Sequence, residues 1–116
     1  MSAALAFDPV IHPPARLQIM AVLATVQDAE FAMLRKTADI SDSVLSKHLS
    51  ALAEAGYVKL RKAAQDGRQR TWARLTSSGR SAFRCHVKAL EALAATVASG
   101  DDHGHTGEVN ETRQRA

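Results

Sequence analysis

Side chains able to bind a metal, move a proton or attack an electrophile are few in this chain, and their spacing suits none of those tasks. Cys85 is the single cysteine, so no disulfide within the chain is available and a reducing compartment is expected. Cys85 and His86 are neighbours, and on a helix adjacent residues do not share a face, which makes them a poor chelate. Asp102-His103-x-His105 could hold zinc only loosely, and His48 sits in a helical pattern where another contact is a better reading than a metal. There is no Cys-x-Cys pair, no HExxH, no GxxxxGK[ST], no GxSxG and no S-x-x-K spacing at Ser46-Lys47. No catalytic centre, metal site or cofactor is therefore expected, and Cys85 reads as a small buried hydrophobe rather than a redox switch.

The chemistry the chain does carry is cationic. Its 15 Lys and Arg against 12 Asp and Glu give only +3, a figure compatible with almost any soluble protein. The distribution is uneven. From Lys59 to Lys88 there are nine basic side chains and a single acid, Asp66, a net of +8 in 30 residues. The stretch from Ser99 onward is net acidic. A concentrated basic segment suits a polyanion, provided the surrounding elements present it on one face.

Those elements follow from periodicity. Pro13 and Pro14 suit a helix start, and Leu17, Met20, Leu23 and Ala24, widened by Ile19 and Val26, predict a helix over about 14–26. Gln27-Asp28-Ala29-Glu30 reads as a polar break. A short helix is predicted over about 31–38, with Phe31, Leu34 and Ala38 on one face. Ser41 is an N-cap candidate and Asp42 favours the positive end of the next helix. That helix, about 41–55, buries Leu45, Leu49 and Leu52 with help from Val44 and stops at Gly56. The period then becomes two: Tyr57 to Arg61 reads as a strand with Val58 and Leu60 inward and Lys59 and Arg61 outward. Asp66-Gly67 is a hairpin turn signal, Arg70 to Leu75 is the returning strand, and Thr76 caps a last helix over about 77–98 with Ala82, Val87, Leu90, Leu93 and Val97 apolar. Residues 1–12 form a leader, 13–98 a single domain, and 99–116 a polar tail expected to be disordered. With 46% hydrophobic but only 4% aromatic residues, the core must be small and aliphatic.

The order α-α-α-β-β-α, mainly α with a hairpin (α+β), is that of a winged helix-turn-helix, in which the second helix of the turn motif enters the DNA major groove. Opposite its leucines this helix presents Asp42, Ser43, Ser46, Lys47 and Ser50. Short hydroxyls permit close approach to base edges, and Lys47 can reach a guanine or a phosphate. The wing, about 61–74, offers Gly67 at its turn, Arg68 beside it for the backbone or a narrow minor groove, and Arg61, Lys62, Arg70 and Arg74 along its stem for phosphates.

The same residues carry a family resemblance. His12-Pro13-Pro14-Ala15-Arg16-Leu17 with Ile19-Met20 resembles the first-helix start of small ArsR-like regulators. Leu45-Ser46-Lys47-His48-Leu49 with Ala55-Gly56-Tyr57-Val58 looks like the recognition helix and its exit in ArsR- and MarR-type proteins. Asp66-Gly67-Arg68 followed by Leu75-Thr76-x-x-Gly79 is similar to the MarR-like wing and helix cap. The resemblance, over about 12–97, implies a homodimeric repressor on a pseudo-palindromic operator. The residues argue for the dimer independently: one module covers few base pairs, and Leu90, Leu93, Ala94 and Val97 on a helix longer than the core needs could meet a second copy, with Phe7, Val10 and Ile11 as further contacts. A cytoplasmic protein is expected, since no signal-peptide pattern or membrane-length apolar run occurs. Whether an effector, a metal or a redox signal acting through Cys85, His86, His103 or His105 controls it is open at this level. The alternative reading is a winged helix used for protein–protein contact without specific DNA binding.

Overall fold

Proline geometry sets the first element. In the computed structural model, which describes residues 7–104 (100–104 by backbone alone), α1 spans Pro14–Leu23 behind an extended Pro13. It buries Ile19, Met20 and Leu23 and ends three residues before the expected boundary. Both the amide and the hydroxyl of Thr25 turn back onto the Val22 carbonyl, a side-chain competitor that closes the helix.

The chain then does something the polar break did not suggest. Ala29–Glu30 forms a short strand, β1, whose Ala29 is buried. The helix α2 follows over Phe31–Ala38 with Leu34 buried. It ends on Asp39 at φ 55°, with the Asp39 and Ile40 amides on the Lys36 and Arg35 carbonyls. Three residues later α3, Asp42–Glu54, begins with the Ser41 hydroxyl accepting from the Val44 amide at 3.2 Å. Leu45, Leu49 and Leu52 are all buried, as their spacing requires, each stabilising the fold by roughly 1.5–3 kcal/mol. Val44, expected to assist them, is instead 40% exposed, because it lies one helical step off that stripe.

The strands β2, Val58–Gln65, and β3, Arg68–Leu75, form the hairpin, and β1 joins it on the other side of β3 to give the order β1-β3-β2. Register pairs Val58 with Leu75, Leu60 with Ala73 and Ala29 with Ala73, all on the core-facing side. Leu60 nevertheless stays 38% exposed: it lies on an edge strand, and the small core beneath does not reach it. The turn residues Asp66 and Gly67 both have positive φ (54° and 77°), the requirement of a type I′ hairpin.

The helix α4 spans Ser77–Gly104, running through Gly100 instead of stopping before it. The remaining tail, with His105, lies outside the described residues, as does the expectation of disorder there. The start of α4 is welded to the exit of α3. Gly56, at φ 83°, and Tyr57 return their amides to Ala53 and Leu52, a Schellman ending. Thr76 then donates its amide to the Tyr57 carbonyl (3.0 Å) and its hydroxyl to the Gly56 carbonyl (2.6 Å). The same hydroxyl accepts from the Gly79 amide at 2.9 Å. Gly79 is buried against this junction, and a Cβ there would sit 2.0 Å from the Tyr57 carbonyl oxygen.

Along α4, Ala89 and His86 turn inward while Cys85 is exposed. The expected burial of Cys85 is thus corrected: one helical step separates it from His86, and the imidazole takes the inward position. His86 is fully buried. Its Nδ1 accepts from the Asp8 amide at 2.9 Å, so the ring proton is on Nε2, which points at His12 Nδ1 3.1 Å away. Phe7 stacks on His12 and tilts against His86. Asp8 accepts from the Tyr57 hydroxyl at 2.6 Å and from the Val10 amide. On the other flank Arg16 donates to His48 Nδ1 and to the Val10 carbonyl. The leader is therefore an intrachain clamp. Ile11, expected at a dimer surface, is completely buried in this core, and Val10 packs against it.

Two predictions come from this architecture. Gly79→Ala meets backbone that cannot move aside, so we expect a loss of about 3 kcal/mol, and thermal melts should show a Tm drop on the order of 10–20 °C. The second concerns acid. Burial and the nearby His12 hold the His86 pKa below the usual imidazole value against an opposing effect of Asp8, and burial with the Arg16 guanidinium does the same for His48. The unfolded chain thus binds these protons more readily, and stability should be level above pH about 6.5 and fall as pH drops from there toward the lowered folded values. Melts between pH 8 and 5 check this; His86→Asn should flatten the decline.

Candidate nucleic-acid interface

The five polar residues expected on α3 are all exposed. Ser43, Ser46, Lys47 and Ser50 follow the i, i+3, i+4, i+7 spacing of one helical face, opposite the buried leucines. Asp42 is not free to act alone, because Arg35 of α2 holds it at 3.0 Å. Ser43 shares a 3.3 Å contact with the capping Ser41 hydroxyl, which ties it to the start of the helix.

Helix and wing meet on one concave surface. An open cleft of about 430 Å³ is lined by Glu30, Phe31 and Ala32 at the start of α2, Asp42 and Ser46 of α3, and Gln69, Arg70 and Thr71 of β3. The turn at Asp66-Gly67 carries Arg68, exposed and unpaired with any acid among the described residues. Lys62 is likewise exposed and unpaired among them.

The other wing arginines are placed differently from a row of open phosphate ligands. Arg70 Nη1 donates to Glu30 at 2.5 Å, and the pair is only partly exposed. Arg61 and Arg74 both approach Asp28 at 3.5 Å, and Arg61 also lies 5.7 Å above the Trp72 ring. Asp28 and Glu30 were invisible as site residues in the sequence. The only sign was the polar-apolar-polar alternation Asp28-Ala29-Glu30, too short to register as a strand. A second recess of about 400 Å³, lined by Ala24 and by Arg80, Phe83, Arg84, Val87, Lys88 and Glu91 of α4, also had no sequence signature.

Along α4, every residue from Glu91 to Ser99 is exposed. Leu93 and Val97 are 50% and 58% accessible, while Leu90 is half-buried. Among the described residues no cluster of three or more His, Cys, Asp or Glu could hold a metal ion, and no helix is long and apolar enough to cross a membrane.

Comparison with known proteins places this geometry. The chain is 28% identical over 88 residues to the protein MJ0432 of Methanocaldococcus jannaschii, itself uncharacterised, covering 76% of this chain and 96% of that one. It superposes on a transcriptional regulator homologue from Pyrococcus horikoshii with a TM-score of 0.71 at 28% identity, covering 76% of this chain and 87% of the other. It also shares the fold of S. aureus MepR, solved in complex with DNA, with a TM-score of 0.64 at 17% identity over 78% of this chain and 74% of that one. Residues 15–94 match the family described as the winged helix DNA-binding domain. A polar helix face lies beside a basic hairpin, and by that match the chain belongs to the winged helix DNA-binding domain family.

Proposed function

We propose that this protein is a cytoplasmic, sequence-specific transcriptional repressor that binds a pseudo-palindromic operator as a homodimer. The observation that carries the reading is the cleft in which Asp42 and Ser46 of α3 share one surface with Gln69, Arg70 and Thr71 of the wing. A major groove about 12 Å wide accepts a helix of this kind. Ser43, Ser46, Lys47 and Ser50 then face the base edges, and Arg68 with Lys62 reaches the phosphate backbone or the minor groove.

The dimer rests on α4. Leu90, Leu93, Ala94 and Val97 form an apolar stripe that nothing among the described residues covers beyond Leu90. At about 1.5 Å per residue, a helix of this length reaches well past the small core. A second copy, antiparallel or crossed about a two-fold axis, would bury the stripe and set two recognition helices at the spacing of successive half-sites.

Three expectations test this. In salt titrations of fluorescence anisotropy on labelled duplexes, Arg68→Ala should weaken binding to all sequences alike and reduce the slope of log K against log salt by about 0.9. Changing Ser43 or Lys47 should shift base preference, with about 1–3 kcal/mol at stake per base pair. A salt-independent parent would rule the reading out. For the dimer, light scattering should give twice the 12.5 kDa chain mass, and Leu93→Glu with Val97→Glu should return the monomer and lose tight operator binding while keeping the fold by circular dichroism. A monomeric parent would remove that part.

A further inference from the structure

Strand parity sorts the wing into two faces. Directly opposed residues of antiparallel strands point the same way, so the pairs Lys59–Arg74 and Arg61–Trp72 face away from the core, as does Glu30 opposite Trp72. Asp28 immediately precedes β1 and lies beside this outward face, within ion-pair reach of both Arg61 and Arg74. Lys59, Arg61 and Arg74 together line a shallow depression of about 250 Å³. One carboxylate thus pairs with two of these three cations.

The asymmetry of exposure matters. The Asp28 side chain is 20% accessible, whereas the Arg61 and Arg74 side chains are about half exposed. Asp28 Oδ1 is buried and makes no hydrogen bond; Arg74 Nε is its ion-pair partner, while Arg61 Nη2 approaches Oδ2. Removing such compensation leaves a desolvated charge. The arginines can still touch water, and therefore phosphate, but each does so while balancing Asp28.

We propose that Asp28 is a positioning and specificity-determining residue: by holding Arg61 and Arg74 on one carboxylate, it limits how many phosphates the wing stem can neutralise. The proposal rests on the DNA-binding reading above. Its consequence is selectivity. Affinity for arbitrary DNA is almost entirely phosphate neutralisation, whereas base readout adds only at the right site. Withholding cations on the stem lowers non-specific binding and leaves the α3 polar face untouched, so it widens the ratio between operator and bulk DNA. Arg68 and Lys62, without such a partner, supply the phosphate contacts of the wing.

The test uses the full chain and a random-sequence duplex of about 30 base pairs. Salt titrations compare the parent, Asp28→Asn, and the triple variant Asp28→Asn/Arg61→Gln/Arg74→Gln, with melts recorded for each. Each phosphate neutralised contributes about 0.9 to the slope. Asp28→Asn releases one to two cations, so its slope should steepen by about 0.9–1.8 and its non-specific affinity at low salt should rise at least several-fold. The triple variant, which removes the cluster entirely and does not depend on an unpaired charge being tolerated, should fall no more than about 1 below the parent. An Asp28→Asn slope equal to that of a steep parent overturns the proposal and leaves DNA binding intact. So does a triple variant that falls about 2 below the parent, since the arginines were then already at full strength on phosphate. A flat parent removes the DNA reading and this inference with it.

Discussion

The junction between the end of α3 and the start of α4 is the constraint on which the remaining structure depends. For α3 and the wing to share one surface, the angle between them must be fixed. Here that angle is set by four residues. Gly56 and Tyr57 end α3 in a Schellman turn, and Thr76 bonds both of their carbonyls. Gly79 then lets α4 approach so closely that not even a methyl group would fit. The hairpin leaves this junction at Val58 and returns to it at Leu75, a direct pair in the ladder. The helix α3, the hairpin and α4 therefore radiate from one point.

The leader secures the same point from the other side. Tyr57, part of the junction, donates to Asp8, whose own amide is held by the buried His86 of α4. Arg16 extends the clamp to His48 in the middle of α3. Both imidazoles must be neutral at the nitrogen that accepts, which links the packing of these elements to proton concentration. A histidine in such a place is a structural acceptor, and its neighbour in sequence, Cys85, is left outside.

Charge is organised by the same economy of a small domain. A run of nine basic residues could have been a continuous cationic strip. The short strand β1 prevents that by bringing Glu30, and Asp28 just before it, against Arg61, Arg70 and Arg74. These pairs are partly buried, so desolvation offsets much of their attraction, and their main physical effect is on the field the wing projects. The turn keeps its open cation at Arg68, where a two-residue loop with both φ angles positive points the hairpin tip outward.

Much of this was legible in the linear chain. The leucine stripe of α3, the Ser41 and Thr76 caps, the Gly56 stop, the Asp66-Gly67 turn and the α-α-α-β-β-α order all depend on local periodicity and backbone preference, which act within a few residues and need no tertiary partner. The polar face of α3 followed from the same periodicity. What only the tertiary structure decided was long-range. A two-residue strand carries too little pattern to be seen until Ala29 pairs with Ala73, and with it comes the pairing of Asp28 and Glu30 to the wing. Ile11 and His86 are buried, and Cys85, Val44 and Leu60 exposed, because of which elements close over them. The sequence by itself determined which elements form and which of them carry cations. Which cations remain unpaired was decided only when a strand from before α2 came to lie against the wing, because a salt bridge is set by distance in space and not by separation along the chain.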